Sequence, residues 1–294
     1  AAADTPTPAL AAAPAGTRAA LLVELAARMC WYGRFKGFEP ALGAACSTMD
    51  FEWEVTGVLG IKRMYQSVEF AQMLVKTKSG VTAKTPAVAD AEEGKKPESL
   101  PLLSVDDMTD VLEGPRISAS VEGEERQALE RPLTAVEQLV LLARCHYLWA
   151  ASNTNDEMVL QEVNALAQRV LATEEKPVEA DASDGPMLTA NWLTFSCGLF
   201  YRCRAEHHRN KTRERAAFQL QSLVDQFKDE RPSAGHRLLL VHGAGYPARF
   251  HLQRELGMRM MKMGMVSTAH EQFKRLRMWP EAVDCLMVAE RNVE

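Results

Sequence analysis

The sequence predicts an all-α fold: a solenoid of stacked helical hairpins with a helical region at its N-terminal end. Three observations predict it. Ala, Leu, Met, Glu and Gln abound while only 7% of the 294 residues are aromatic, a balance that favours helices over strands. Apolar residues recur at helical spacing in segment after segment, and no stretch reads convincingly at period two. The third observation lies between Leu252 and Val283, where Leu256-Gly257 is followed by Gly264, Ala269, Phe273 and a new helix start at Trp279-Pro280.

That last pattern is the skeleton of a tetratricopeptide (TPR) repeat. Gly257 lets two helices approach closely, Gly264 permits the turn between them, Ala269 fits the crossing point and Phe273 plugs the seam to the next repeat. Leu256 belongs to the same signature. A unit of this kind cannot bury its own apolar face, so one repeat implies an array. Arrays of helical hairpins present surfaces to other proteins, and the expected role is a scaffold without catalytic residues.

The elements follow in order. Residues 1–16 should be disordered, because Pro6, Pro8 and Pro14 break any Ala-driven helix. Residues 17–78 read as TPR-like hairpins. An apolar face runs through Leu21, Leu22, Leu25, Met29 and Tyr32, then a turn between Gly33 and Gly37, then a short helix from Phe38 to Cys46. Phe51 to Lys76 continues, interrupted at Gly57 and Gly60, with a helix from Val68 to Lys76. Residues 79–131 hold twelve acidic side chains against six basic ones and read as a largely mobile acidic linker. Its middle, Leu100 to Ile117, is apolar enough to dock on the helical body.

Residues 132–231 form a helical hairpin domain. Thr134-x-x-Glu137 is a capping box opening a face of Val136, Leu139, Val140, Ala143 and Tyr147, and Thr154-x-x-Glu157 caps the next helix to about Leu171. After a break at Lys176–Pro186 come helices Trp192–His207 and Thr212–Lys228. Residues 232–294 start a C-terminal array. The chain begins at Ala1 without Met and stops at Glu294 just after a predicted helix, so it reads as a piece of a longer protein.

Candidate chemistry is sparse. The net charge of −5 argues against general nucleic-acid binding. Six cysteines without C-x-x-C spacing read as buried free thiols of a reducing compartment, which points to the cytoplasm or nucleus. The seven histidines show no ligand spacing, so neither a metal nor another cofactor is expected. No apolar run approaches membrane-spanning length. Leu238-Leu239-Leu240-Val241-His242-Gly243 resembles a hydrolase strand and oxyanion loop, but no G-x-S-x-G nucleophile accompanies it. Methionines 258, 260, 261, 263 and 265 read as filling between helices rather than as a binding face. A basic cluster of Arg202, Arg204, Arg209, Lys211, Arg213 and Arg215 could bind an acidic partner, phosphate or RNA. It could equally be a solvated helix turn, or the dock for the chain's own acidic linker.

Several stretches together resemble the tetratricopeptide repeat protein 27 family. Val55-Thr56-Gly57-Val58-Leu59-Gly60-Ile61-Lys62-Arg63-Met64-Tyr65-Gln66 is close to that family's T-G-x-L-G-K-R-T-x-F-Q, and Phe70–Val75 follows it. Lys211–Arg215 leads into Gln219–Gln226, and Phe273–Trp279 enters the repeat array. Ile61 and Arg63 depart from the family's Lys and Thr, as in a distant member. The resemblance implies a helical N-terminal region, a C-terminal TPR array and no catalysis. It further implies protein partners, among them chaperone or spliceosomal ribonucleoprotein components. It makes Thr56, Gly57 and Gly60 turn formers, and places Gln226 and Trp279 between helices.

Overall fold

Small side chains fix the first hairpin. In the computed structural model, which describes residues 13–80, 110–174, 191–230 and 232–291, helix α1 (Ala15–Trp31) packs on α2 (Phe38–Met49). The buried face of α1 is Ala19, Ala20, Val23, Ala26, Ala27 and Cys30. Leu21 and Leu25, expected in the core, are 44% and 46% exposed. Close approach of α1 to two neighbouring helices selects the small residues and turns the leucines outward. The helix starts at Ala15, directly after Pro14, where the sequence predicted disorder; residues 1–12 lie outside the described residues.

The fold is mostly helical, but it is not all-α. Strands β1 (Phe51–Arg63), β2 (Phe70–Ser79) and β3 (Val111–Ile117) form an antiparallel sheet in the order β2-β1-β3. This overturns the helices expected between Phe51 and Lys76. Each face of the sheet is covered over part of its length. Phe51, Trp53, Val55, Met73 and Val75 pack on the main helical core, while Val58, Leu74 and Ile117 pack on Val121 and Leu129. The covered set therefore changes face along β1, from Phe51, Trp53 and Val55 to Val58 and Gly60, so alternation breaks mid-strand and a periodicity reading misses it. Gly57 and Gly60 are strand positions, not turn formers. A Cβ on Gly60 would collide with the Arg116 carbonyl oxygen of β3, so the pairing itself requires glycine there.

The acidic segment is also corrected in part. Its last third supplies β3 and helix α3 (Gly123–Glu130), which lies over β2 with Lys76 ion-paired to Glu125. Residues 81–109 lie outside the described residues, as does the Lys176–Pro186 break.

From there each helix packs on its successor: α4 (Ala135–Ala151), α5 (Glu157–Glu174), α6 (Trp192–Glu206), α7 (Arg213–Asp225), then, past a short α8 (Ala234–Arg237), α9 (Arg249–Lys262), α10 (Val266–Arg275) and α11 (Trp279–Arg291). This one-dimensional succession is the stacking habit of helical repeats. Helix α1 closes on α4, and the main core spans α1, α2, α4, α5, α6 and the sheet. The Thr134–Glu137 capping box is formed as the sequence predicted. At α5 the cap is Asp156, whose carboxylate accepts from the Met158 N–H at 2.9 Å, two residues on from the expected Thr154.

A buried polar knot joins the sheet to the stack. The Thr77 hydroxyl donates to the Ala128 carbonyl at 3.1 Å and accepts from Arg131 at 3.2 Å and Arg169 at 3.0 Å. Arg169 also donates to the Arg131 carbonyl at 2.5 Å. Arg131 pairs with buried Glu137 at 2.7 Å, and the second oxygen of Glu137 accepts from the Thr134 N–H at 2.7 Å. Glu137 therefore closes the capping box, pairs with Arg131 and offsets part of the charge of Arg169. Glu137→Ala should cost about 3–5 kcal/mol by leaving buried cations uncompensated, whereas Thr134→Ala should cost about 1 kcal/mol. Urea unfolding of the two variants measures both, and equal small losses would remove the knot from any central role.

Candidate functional site

Two regions hold the residues singled out by sequence: the α6–α7 turn and the α9–α11 hairpin. The turn was expected to carry a basic surface. Most of those cations are consumed internally. Arg202 is buried and donates to Gln219 at 3.3 Å. Arg204 forks onto Glu255 of α9 at 2.8 Å and lies over the rings of Phe200 and Trp149 at 4.2 and 4.8 Å. Arg209 is ion-paired with Glu157. Lys211 reaches Asp110 at 3.4 Å, and Arg213 donates to Asn210 at 2.9 Å and to the His207 carbonyl at 3.5 Å. Arg215 is 1% exposed at the side chain, paired with Glu206 at 2.8 Å, and donates to the Val111 carbonyl at 2.6 Å.

Among the described residues only Lys211 and Arg215 reach the chain's own acidic segment, at Asp110 and Val111; the other four cations are held by Gln219, Glu255, Glu157 and Asn210 of the helical stack. Two cations that sequence reasoning passed over, Lys62 and Arg63 at the end of β1, meet Arg209 and Lys211 across a hollow. Nothing in the linear order announces that convergence, because it depends on the unforeseen sheet.

In the C-terminal hairpin Leu256, Ala269 and Phe273 are buried to 1%, 0% and 0% exposure. Gly264 takes a φ of 86° after α9; its N–H donates to the Met261 carbonyl, and the Met265 N–H to the Met260 carbonyl, which closes the helix with a Schellman turn. Arg277 repeats the same turn after α10 with a φ of 56°, a left-handed position that lacks the usual glycine. Met258, Met260 and Met261 pack around Ala269, Phe273, Ala282 and Cys285, while Met265 is exposed. On the far side of α11, Trp279, Val283, Leu286 and Met287 are about half exposed, so Trp279 does not pack between helices. Gln226 does: it bridges Ser196 at 3.3 Å and Tyr246 at 3.0 Å.

The hydrolase-like stretch is a surface turn with Leu238 exposed, and His242 faces Arg28 at 3.4 Å. Among the described residues no cluster of three or more His, Cys, Asp or Glu could hold a metal ion, and no helix is long and apolar enough to cross a membrane. The six cysteines are free, and burial pushes the Cys30 and Cys46 thiols up to about 11, which leaves them protonated and unreactive at neutral pH.

Comparison with known proteins bears on this arrangement. The chain is 27% identical over 263 residues to the tetratricopeptide repeat protein 27 homolog of Dictyostelium discoideum, a match covering 89% of this chain and 28% of the relative. It is a distant relative of the tetratricopeptide repeat protein 27 family. A TPR repeat-containing protein of Schizosaccharomyces pombe is 25% identical over 306 residues, covering 90% of this chain and 35% of its own length. The protein of Saccharomyces cerevisiae named essential for maintenance of the cell wall protein 1 is 26% identical over 163 residues, 52% of this chain and 17% of its own. The chain thus spans roughly a third of the length of the first two. No protein-family model matches it, and neither does any solved structure. The family-like stretch from Val55 to Gln66 lies on β1 and its exit loop, where Gln66 accepts from the Lys62 N–H at 3.0 Å and donates to the Val68 carbonyl at 2.6 Å.

Two predictions arise here. A Cβ on Gly257 would stand 2.8 Å from the Phe273 ring, so even alanine must displace a fully buried aromatic. The sequence alone balances Gly257→Ala near neutral, since helix propensity gains up to about 1 kcal/mol. The contact shifts that balance: Gly257→Ala should destabilise α9–α11 and Gly257→Leu more so, by about 1–3 kcal/mol. Hydrogen exchange should quicken in α9–α11 while α1 and α4 keep their protection; unchanged exchange in both variants would mean that Phe273 yields freely.

The second concerns pH. Burial, reinforced by Arg259 for His207 and by Arg204 for His146, lowers both imidazoles to about 4. An unfolded imidazole titrates near 6.5, so between about 6.5 and 4 the unfolded chain binds protons that the fold refuses, and stability falls as pH falls. The loss of urea stability between about pH 7.5 and 5 should shrink in His146→Gln. An undiminished loss would place the buried titration elsewhere.

Proposed function

We propose that this chain is a non-catalytic protein-interaction scaffold of TPR type that serves the assembly of a larger complex. The observation that carries the reading is the end-to-end helical succession finishing in α11, whose Trp279, Val283, Leu286 and Met287 offer an apolar face. Faces of this kind in stacked repeats are covered by a neighbouring helical pair or by a partner. The repeat-containing relatives support the protein-binding class. The finer role, in chaperone-linked or ribonucleoprotein assembly within the cytoplasm or nucleus, rests on the family resemblance. Nucleic-acid binding through Arg202–Arg215 is disfavoured, because Arg202, Arg204, Arg209 and Arg215 already serve partners inside the fold.

Affinity purification of the full-length protein should recover a stoichiometric protein partner that survives size exclusion and nuclease treatment. Val283→Glu with Met287→Glu should reduce that recovery while leaving helix content unchanged. Failure of the folded protein to hold any partner would count heavily against a scaffold, and loss of the partner on nuclease treatment would favour an RNA-borne association.

A further inference from the structure

Cations left over by the internal pairing gather where β1 ends against the α6–α7 turn. Lys62, Arg63, Arg209 and Lys211 line a hollow of 320 Å³ there, together with Asn210 and Thr212. Two of the four cations are spoken for, Arg209 by Glu157 and Lys211, at the long distance of 3.4 Å, by Asp110. The Lys62 ammonium and the Arg63 guanidinium have no hydrogen-bond or ion-pair partner among the described residues, although their backbone N–H groups are held in place by Gln66 at 3.0 and 3.3 Å. Lys62 is half-buried; burial and then the neighbouring Arg209 lower its proton affinity, with Glu206 and Glu157 opposing from a distance. A desolvated ammonium beside other cations, with its strand fixed, is a site short of an anion. Lys62 and Arg63 also border a second hollow of 630 Å³, whose walls include Tyr65, Val68 and Phe70. Those three side chains are 86%, 60% and 61% exposed.

We infer that this junction binds a phosphorylated side chain of an extended peptide, with the phosphate on Lys62, Arg63 and Lys211 and a neighbouring apolar residue against Tyr65 and Phe70. The inference rests on the protein-interaction reading and names the chemistry of one partner segment. Charge selects the phosphate: two cations without a direct ion pair match a group carrying about −1.5 to −2 near neutral pH, which a single carboxylate does not supply. The surroundings select a peptide over a nucleic acid. Asp110 and Glu157 flank the cations and the chain carries a net charge of −5, so a string of phosphates is repelled where one dianion is not. The adjoining apolar hollow suits the side chain next to the modified residue.

Calorimetric titration of the intact chain with phenyl phosphate, and with a short leucine-flanked phosphoserine peptide beside its unphosphorylated form, tests this. The phosphorylated peptide should bind at least about tenfold more tightly than the unphosphorylated one, and Lys62→Gln with Arg63→Gln should cost about tenfold or more for both phosphate probes. Arg249→Gln, on another element, should change nothing. The charge-keeping Lys62→Arg with Arg63→Lys should retain binding, which separates lost charge from lost fold. Absence of phenyl phosphate binding, equal affinity for both peptides, or indifference to the double Gln variant would overturn the inference. So would a short single-stranded RNA that binds more tightly than the phosphopeptide and is lost in that variant. A partner recovered through α11 by the double Gln variant would leave the scaffold reading standing while phosphate binding fails, so the two are separable.

Discussion

The structure depends on the buried knot at Thr77, Arg131, Glu137 and Arg169. A sheet and a helical stack have different surface periods, and apolar contact between them alone leaves register free to slide. The knot removes that freedom. Thr77 sits on β2, Arg131 just after α3, Glu137 on α4 and Arg169 on α5, so four elements share one set of hydrogen bonds. Burial pushes the Arg169 guanidinium down to about 9, with Arg131 adding to the effect and Glu137 opposing it. Apolar residues of the same volume would give comparable or greater stability. What they would not give is a single position for β2 against α5.

The same device recurs at the other end of the sheet. Arg215 of α7, wholly buried, takes Glu206 of α6 with one arm and the β3 backbone at Val111 with another. Strand β3 is thereby pinned to the helical stack by a side chain more than a hundred residues away. Arginine suits both knots, because its planar fork reaches a carboxylate and a carbonyl at once and stays charged when desolvated. A cluster of basic residues in a sequence therefore has two readings, surface and strut. Here the burial of Arg202 and Arg215 and the rings beneath Arg204 assign most of it to struts. Lys62 and Arg63, beside a Lys211 that is only loosely held by Asp110, are left by that construction rather than used by it.

Legibility in the sequence followed the range of the interactions. The capping box at Thr134 and Glu137, the helices around Trp192 and Arg213, and the turn at Gly264 are decided within a few residues, and each was readable. The sheet was not, although Phe51-Glu52-Trp53-Glu54-Val55 alternates plainly and its glutamates are exposed. Gly57 and Gly60 diverted that signal, because glycine reads as an interruption when its neighbour is unknown. Only the carbonyl of Arg116, far along the chain, explains Gly60. The α1 face failed for a related reason: hydrophobicity ranks Leu21 above Ala19, but the neighbouring helices leave room only for the alanine. The partners of the basic cluster, Glu157, Glu255 and Asp110, are likewise set by packing that no local pattern encodes.

Separate cores divide the molecule energetically as well as geometrically. The α9–α11 unit closes around Ala269, Phe273, Ala282 and Cys285, apart from the large core that holds the sheet. Helices α6, α7 and α9 form an intermediate core between them around Phe200, Leu220 and Leu256. Stability in such a stack is close to a sum of unit and neighbour terms, so a change at one end is felt mainly by the adjoining unit. The exposed apolar residues around Tyr65 and Phe70 at the β1–β2 tip and those along α11 belong to parts of the molecule with separate cores, so a change in one is felt little in the other. The proposed scaffold role, with a partner segment on each surface, would gain from that division. Each surface would then order its own ligand without a cost in the core of the other, and the joint affinity would be set by the spacing that the intervening helices hold.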